Sequence, residues 1–229
     1  MTLQMLKAVL FDMDGVIVNT EPLHQKSYSL MFDDVNIDVP NDLYSTFTGQ
    51  STRAICEMLI NHFKLPLGVE TLVDIKRHHF KYLFENDDEL DLLPGVLDLI
   101  KDYHANGLTL VLASSASMEN INNIFERFNL NDYFVAKLSG ADLKASKPHP
   151  EIFEKAAVAA GFERDECMVI EDSTNGIKAA KDAGIFCVGY DSLHSHDQDY
   201  SLADLVVSDF KEIAYETISA HFNSVLAEK

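Results

Sequence analysis

The chain has 229 residues, 47% hydrophobic and 24% charged, enough to bury a large core in one domain or in one domain plus an insert. Its formal charge of -19 favours solubility and argues against a nucleic-acid backbone binder, which needs a basic stripe; a solvated acidic surface accounts for it, and a local lysine or cation can still hold a phosphate. Three cysteines, Cys56, Cys167 and Cys187, are too few and too scattered for a disulfide framework or a zinc site, and Cys167 and Cys187, in apolar strand-like runs, read as small core residues.

Residues 1–6 carry no basic segment followed by a long apolar stretch, so no signal peptide is expected. No apolar run is long enough to span a membrane, and a reducing cytoplasm fits. The first organising stretch is Ala8-Val9-Leu10-Phe11 running into Asp12-Met13-Asp14-Gly15-Val16. The apolar run predicts a strand buried on both faces, as found centrally in a parallel sheet. The acidic pair then falls at the strand's carboxyl end, where open α/β sheets place their ligands. Two carboxylates this close repel unless a cation lies between them or one keeps a proton, and oxygen-only ligands suit Mg²⁺. Gly15 lets the backbone turn and approach a ligand. Taken alone, the motif reads first as a strand ending in a surface turn.

Asn19 or Thr20 is expected to cap a helix with Pro22 in its first turn. From there to about Asp88 the pattern is helical. Pro40 opens a short segment with Leu43, Tyr44 and Phe47, and Ser51 caps a helix marked by Ile55, Met58, Leu59 and Phe63. Leu72, Ile75, His79 and Leu83 mark another. Residues 20–90 therefore read as a helical insert, with residues 1–19 and 91–229 forming an α/β domain. The acidic run Glu85-Asn86-Asp87-Asp88-Glu89 reads as the return linker.

After Leu93 strands and helices alternate. A helix runs from Pro94-Gly95 to Asn106-Gly107, and a strand over 108–113 ends in Ser114-Ser115-Ala116-Ser117. A helix follows to Phe128, then a strand over 134–138. Lys147-Pro148-His149-Pro150 opens a helix ending at Gly161. A strand over 167–170 ends in Glu171-Asp172-Ser173, a helix runs to Ala183, and strands over 185–188 and 205–207 complete the pattern. This alternation predicts a Rossmann-like, doubly wound parallel sheet. Strand ends in such a sheet share one edge, so Asp12, Asp14, Ser114, Lys147, Glu171 and Asp172 are expected to meet. The chemistry open to them is phosphoryl transfer: an aspartate nucleophile, Mg²⁺ between anions, and a lysine, a hydroxyl and backbone N–H groups around the phosphate oxygens.

Four motifs in order carry a family resemblance: Asp12-Met13-Asp14-Gly15-Val16, Ser114 after an apolar strand, Lys147-Pro148, and Glu171-Asp172-Ser173 with Gly176. Together with the insert, the chain resembles the haloacid dehalogenase superfamily, in its β-phosphoglucomutase-like branch with a helical cap. The resemblance implies that Asp12 is the nucleophile and Asp14 the general acid and base. Ser114, with Ser115 beside it, and Lys147 would bind phosphate. Asp172, Asp12 and the backbone carbonyl of Asp14 would hold Mg²⁺, with Glu171 an outer partner. Ser114 also reads as a helix cap, and Lys147 as a surface lysine. Dehalogenases of this family lack the second aspartate, so Asp14 favours phosphate over halide. A cap lysine for a Schiff base is not singled out.

The resemblance leaves open what accepts the phosphate. A mutase needs a cationic grip on a second phosphate, and β-phosphoglucomutases carry Gly-x-Ser-Arg at the start of a cap helix. This chain reads Gly49-Gln50-Ser51-Thr52-Arg53, one residue longer, which turns the arginine by about 100°; Arg53 reads equally as a surface residue. Lys76 and Arg77 lie in a stretch similar to the mutase cap's basic segment, and a solvated helical face explains them as well. His24 matches a cap histidine found in both mutases and phosphatases. His194 and His196 could suggest a transition-metal site, but an exposed loop explains them better. The expectation is a Mg²⁺-dependent phosphatase of a small phosphorylated metabolite, a hexose or related sugar phosphate, with no nucleic-acid or membrane partner, as a monomer or weak homo-oligomer. β-Phosphoglucomutase is the alternative, and a non-catalytic sensor of phosphorylated ligands the reading from another class.

Overall fold

The computed structural model describes residues 5–47, 50–191 and 197–227, with the side chains of 142 and 223–227 outside the description. His194, His196 and Gly49 lie outside the described residues. The sheet has six parallel strands: β1 (Ala8–Phe11), β2 (Thr109–Ser114), β3 (Phe134–Ser139), β4 (Cys167–Glu171), β5 (Phe186–Tyr190) and β6 (Leu205–Val207). Their order is β3-β2-β1-β4-β5-β6. β1 is central because every residue in it is buried and both its edges are paired: Phe11 lies opposite Leu112 on one side and Ile170 on the other. That register brings the carboxyl ends of β1, β2 and β4 level, and strands are added to one side of β1 up to β3 and to its other side from β4 on, which makes the boundary between β1 and β4 a topological switch point.

Alternate residues of β1 feed two cores, as a strand covered on both faces must. Val9 and Phe11 join a cluster with Leu99 and Tyr103 of α5 (Val96–Ala105) and Ile124 and Phe125 of α6 (Met118–Arg127). Ala8 and Leu10 join the opposite cluster, with Phe153 of α7 (Glu151–Ala160) and Ile177 of α8 (Thr174–Asp182). The cysteines are free and buried, and burial pushes the Cys56 and Cys167 thiols up to about 12.

Between β1 and α5 lies a run of helices with no strand among the described residues: α1 (Glu21–Asp34), α2 (Asn41–Tyr44) with a 3₁₀ turn at Ser45–Phe47, α3 (Thr52–Phe63) and α4 (Val69–Glu85). It has its own core, in which Tyr28, Met31, Ile55, Leu59 and Leu72 are buried together. The two connections to it run side by side, tied by Leu93 N–H donating to the Ile17 carbonyl at 2.9 Å.

Three sequence expectations change. Thr20 is the N-cap residue of α1 but makes no side-chain cap; its hydroxyl is engaged elsewhere. The buried stripe of α4 is Leu72, Val73, Lys76, Phe80 and Phe84, one step around the helix from the stripe predicted through Ile75, His79 and Leu83, so Lys76 is not on a solvated face. A last helix, α9 (Tyr215–Ala227), was not expected. It packs Ile218 and Phe222 into the core, and its start is held by Tyr215 N–H donating to Asp102 Oδ2 at 2.8 Å. No described helix is long and apolar enough to cross a membrane.

Candidate active site

The carboxyl ends of β1, β2 and β4 open into a cavity of about 530 Å³, roofed by α1, the 3₁₀ turn and the start of α3. Asp12 follows the last residue of β1 and is fixed by its own N–H donating to Ile170 O at 3.0 Å. Lys147 reaches it across the sheet edge. Its ammonium donates to Asp12 Oδ1 at 2.6 Å, Glu171 Oε1 at 2.7 Å and the Ala113 carbonyl at 3.1 Å. All three of its hydrogens are thus engaged, and the residue is 4% exposed. Two carboxylates outweigh the desolvation of the ammonium, so Lys147 stays protonated well above its ordinary range.

One ammonium does not neutralise the site. Ligand oxygens of Asp12, Glu171 and Asp172 lie within 4.8 Å of one another, all buried, and Asp14 lies beside them. Burial raises the Asp12 carboxyl against the pull of Lys147, the response expected of like charges gathered out of water. The donor set is oxygen-only and short by at least one positive charge, which fits a hard divalent cation such as Mg²⁺.

Two glycines make room for this packing. A Cβ on Gly15 would lie 1.9 Å from Asp172 Oδ2, and one on Gly176 would lie 1.7 Å from Glu171 Oε1. Gly15 also has φ 84°, in the region that L side chains rarely adopt. Glu171 is braced by the Ser173 N–H at 2.8 Å and the Ser173 hydroxyl at 3.0 Å. The same hydroxyl caps α8 by accepting from Gly176 N–H.

Ser114 and Ser115 line the cavity at the end of β2. Ser114 Oγ accepts from Ala116 N–H at 3.1 Å; the cap of α6 is Ser117, which accepts from Asn120 N–H. Asp14 receives a hydrogen bond from the Thr20 hydroxyl. Burial raises the Asp14 carboxyl, with Thr20 opposing, so a proton is more readily held there than on a solvated aspartate.

On the roof, His24 lines the cavity and Lys76 stands behind it, with Nζ 2.6 Å from His24 Nδ1. Lys76 is 1% exposed and lies over the rings of Tyr28 and Phe80 at 4.9 and 4.6 Å. Burial lowers its ammonium to about 7, with Asp14 opposing. Burial, and then Lys76, hold the His24 imidazole well below its usual range. The pair therefore carries one charge at most near neutrality. Arg53 lies outside the cavity, exposed and paired with Glu70, and Arg77 is exposed on α4.

The structure thus brings together Asp12, Asp14, Ser114, Ser115, Lys147, Glu171 and Asp172 from distant parts of the chain, with His24 above them, and leaves Arg53 apart. Thr20, Glu21, Tyr44, Asp197 and Gln198 also border the site and were not read from the sequence. Thr20 had only the signal of an N-cap residue, lying between Asn19 and Glu21 at the start of α1. Gln198 had none, since it arrives through a contact of its side-chain oxygen with Thr174 N–H at 2.9 Å.

A parallel sheet with a lysine-bridged acidic cluster at its switch point and a helical insert over it defines a phosphoryl-transfer enzyme. The sequence model of the haloacid dehalogenase-like hydrolases matches residues 9–190, and the chain belongs to that family, as a phosphoric monoester hydrolase or phosphomutase. It is 30% identical to the β-phosphoglucomutase of Bacillus subtilis, over 93% of this chain and 94% of that one. It is 28% identical to the phosphorylated carbohydrates phosphatase of Thermotoga maritima, over 83% and 87%. A crystal structure of a CbbY variant from Rhodobacter sphaeroides with xylulose 1,5-bisphosphate superposes with TM-score 0.82 at 26% identity, covering 91% of this chain and 96% of that one. Mutases and phosphatases thus stand at similar distances.

Proposed function

We propose that this protein is a Mg²⁺-dependent phosphatase that hydrolyses a small phosphorylated metabolite, a sugar phosphate or a close relative, through an aspartyl-phosphate on Asp12. The observation that carries it is Lys147 bridging Asp12 and Glu171 on the floor of a cavity lined by Ser114 and Asp14. In this reading residues 1–19 and 91–229 form the catalytic core domain and residues 20–90 a cap domain, and the substrate lies between them. Closure of the cap excludes bulk water.

Ser114, Ser115 and Lys147 take up the phosphate oxygens, Lys147 by giving up one of its three present acceptors, with backbone N–H groups of the turn after β2 beside them. The carboxylate of Asp12 attacks phosphorus while the bond to the ester oxygen breaks. Asp14, its carboxyl raised by burial, gives its proton to that oxygen. In the second half Asp14 takes a proton from water as that water attacks the aspartyl-phosphate, and Asp12 and inorganic phosphate are released. Mg²⁺ bound by the carboxylates of Asp12 and Asp172 and the Asp14 backbone carbonyl, with Glu171 beside it, would screen the anionic nucleophile from the anionic ester. His24 and Lys76 close the roof above Asp14.

A phosphomutase would need a cation at the far end of the cavity. Arg53, the candidate for that role, is spent on Glu70 at the surface, which favours water as the acceptor. The deciding experiment is Mg²⁺-dependent turnover of a panel of sugar monophosphates. It includes β-glucose 1-phosphate primed with glucose 1,6-bisphosphate, with inorganic phosphate and glucose 6-phosphate both followed. Phosphate release without isomer formation, abolished by EDTA and restored by Mg²⁺, is expected. Isomer formation faster than phosphate release would establish the mutase, and no turnover of any phosphoester would favour a sensor.

A further inference from the structure

The floor of the cavity handles phosphate, so what distinguishes one ester from another must lie on the roof. The roof residues from α1, α2 and the segments up to α3 include Glu21, Gln25, Tyr44, Ser45, Gln50 and Thr52. Apart from Glu21 these are neutral hydroxyls and amides. Among the described residues lining the cavity, the only Lys or Arg is Lys147, and it is already bound to two carboxylates. Glu21 stands on the first turn of α1 and is oriented from α2 by the Tyr44 hydroxyl, which donates to Glu21 Oε1 at 3.2 Å. Asp197 adds a second carboxylate from the loop before β6.

From this arrangement we infer that Glu21, oriented by Tyr44, selects the ester: it accepts hydrogen bonds from the hydroxyls of an uncharged, polyhydroxylated leaving group and rejects esters with a second phosphate or a carboxylate. The inference rests on the phosphatase reading and narrows its substrate class. An ionised carboxylate is acceptor-only, so it pairs with O–H groups and repels a second anion. Lodging a second phosphate beside Glu21 and Asp197, with Lys147 already held by two carboxylates and Lys76 set back behind His24, leaves like charges facing one another across the cavity. A site built to bond a substrate hydroxyl also rejects analogues that lack it, because the site's own polar group is then left unpaired. Both effects act on the leaving group and leave the phosphate contacts alone. The wild type should therefore rank its substrates by the leaving group they carry.

The test is steady-state kcat/KM for wild type, Glu21→Gln and Tyr44→Phe. The substrates are hexose and pentose monophosphates, glucose 1,6-bisphosphate, 3-phosphoglycerate and p-nitrophenyl phosphate, which has no sugar hydroxyls. Wild type is expected to favour its best sugar monophosphate over the bisphosphate and 3-phosphoglycerate by at least tenfold. Glu21→Gln should lower kcat/KM on that sugar monophosphate at least tenfold more than on p-nitrophenyl phosphate and should narrow the gap to the bisphosphate. Tyr44→Phe should do the same to a smaller extent, about threefold. Equal losses on both esters in Glu21→Gln, or wild-type turnover of the bisphosphate as fast as of the monophosphate, would overturn this inference while leaving the phosphatase reading intact. Absence of wild-type turnover on every ester, p-nitrophenyl phosphate included, would overturn both.

Discussion

Lys147 on the floor of the cavity and Lys76 behind its roof are both almost fully buried, 4% and 1% exposed, and their charges respond in opposite directions. Lys147 donates to two carboxylates and a carbonyl and is held as an ammonium. Lys76 meets an imidazole and two aromatic faces, and burial lowers it to about 7. Burial alone therefore does not decide a lysine's charge; the partners do. The floor is a fixed ion cluster that organises phosphate chemistry. The pocket around Lys76 behind the roof is aromatic and otherwise uncharged, and its charge follows pH.

The floor should break most severely at its centre. Asp12→Asn keeps the size of the side chain and removes the nucleophile, so turnover should fall by at least about 10⁴-fold with the near-UV circular dichroism unchanged. Loss of less than about tenfold would mean that Asp12 does not form the covalent bond. Lys147→Met should also abolish most activity, and it leaves Asp12 and Glu171 buried without their cation. Removing one partner of a buried ion cluster costs about 3–5 kcal/mol, so urea unfolding at pH 7 should show a loss of that size. The loss should shrink at acidic pH, because protonation relieves the unpaired carboxylates. An unchanged midpoint would contradict the buried bridge.

Lys76→Met probes the roof, and here the sign is reversed. In the unfolded chain Lys76 holds its proton up to about pH 10.5, whereas in the fold it releases it near 7. Between these limits the unfolded state binds more protons, so the wild type gains stability as pH rises through that window and is weakest below pH 7. Lys76→Met keeps the length of the side chain, removes the buried charge, and should be more stable than wild type at pH 6, by an amount on the order of a few kcal/mol. The advantage should fade towards pH 10. Urea midpoints of both proteins across pH 6–10 check this; a variant equally destabilised at every pH would show that Lys76 is protonated and favourably paired in the fold.

The same contrast explains how much the sequence disclosed. Asp12, Asp14, Ser114, Lys147, Glu171 and Asp172 each follow an apolar strand or open a helix, so local pattern and sheet topology together bring them to one edge. Lys76 was harder. Its neighbours Arg77 and His78 are charged or polar and exposed, and a stripe drawn through Ile75 and His79 puts Lys76 on the wrong side. The usable signal was its spacing of four from both Leu72 and Phe80, which share its buried face. Thr20 looked like an ordinary N-cap because capping is what threonine does before a helix; its bond to Asp14 comes from the tight turn through Gly15. The helix α9 is anchored at its start by Asp102 and along its length by core contacts far back in the chain, information that no local window holds. The placement of Gln198 on Thr174 is likewise a long-range contact.

The smallest expected effect is the one that tells most about the acceptor. Arg53 pairs with Glu70 where both side chains are about half or more exposed, 48% and 68%. Ion pairs of this kind contribute about 0–1 kcal/mol, so Arg53→Ala should shift stability by less than about 1 kcal/mol. If Arg53 stays at the surface throughout turnover, kcat/KM on a sugar monophosphate should change by less than about twofold. If the cap instead swings Arg53 inward to grip a second phosphate, the pair with Glu70 must break during the cycle. Arg53→Ala would then lose activity mainly on bisphosphates and in isomer formation, and Glu70→Ala, by freeing the arginine, would raise it. Measuring both variants on β-glucose 1-phosphate with its bisphosphate primer separates the cases: two near-neutral variants keep the roof without a cation and water as the acceptor, whereas opposite effects of the two substitutions would make Arg53 the missing grip of a mutase.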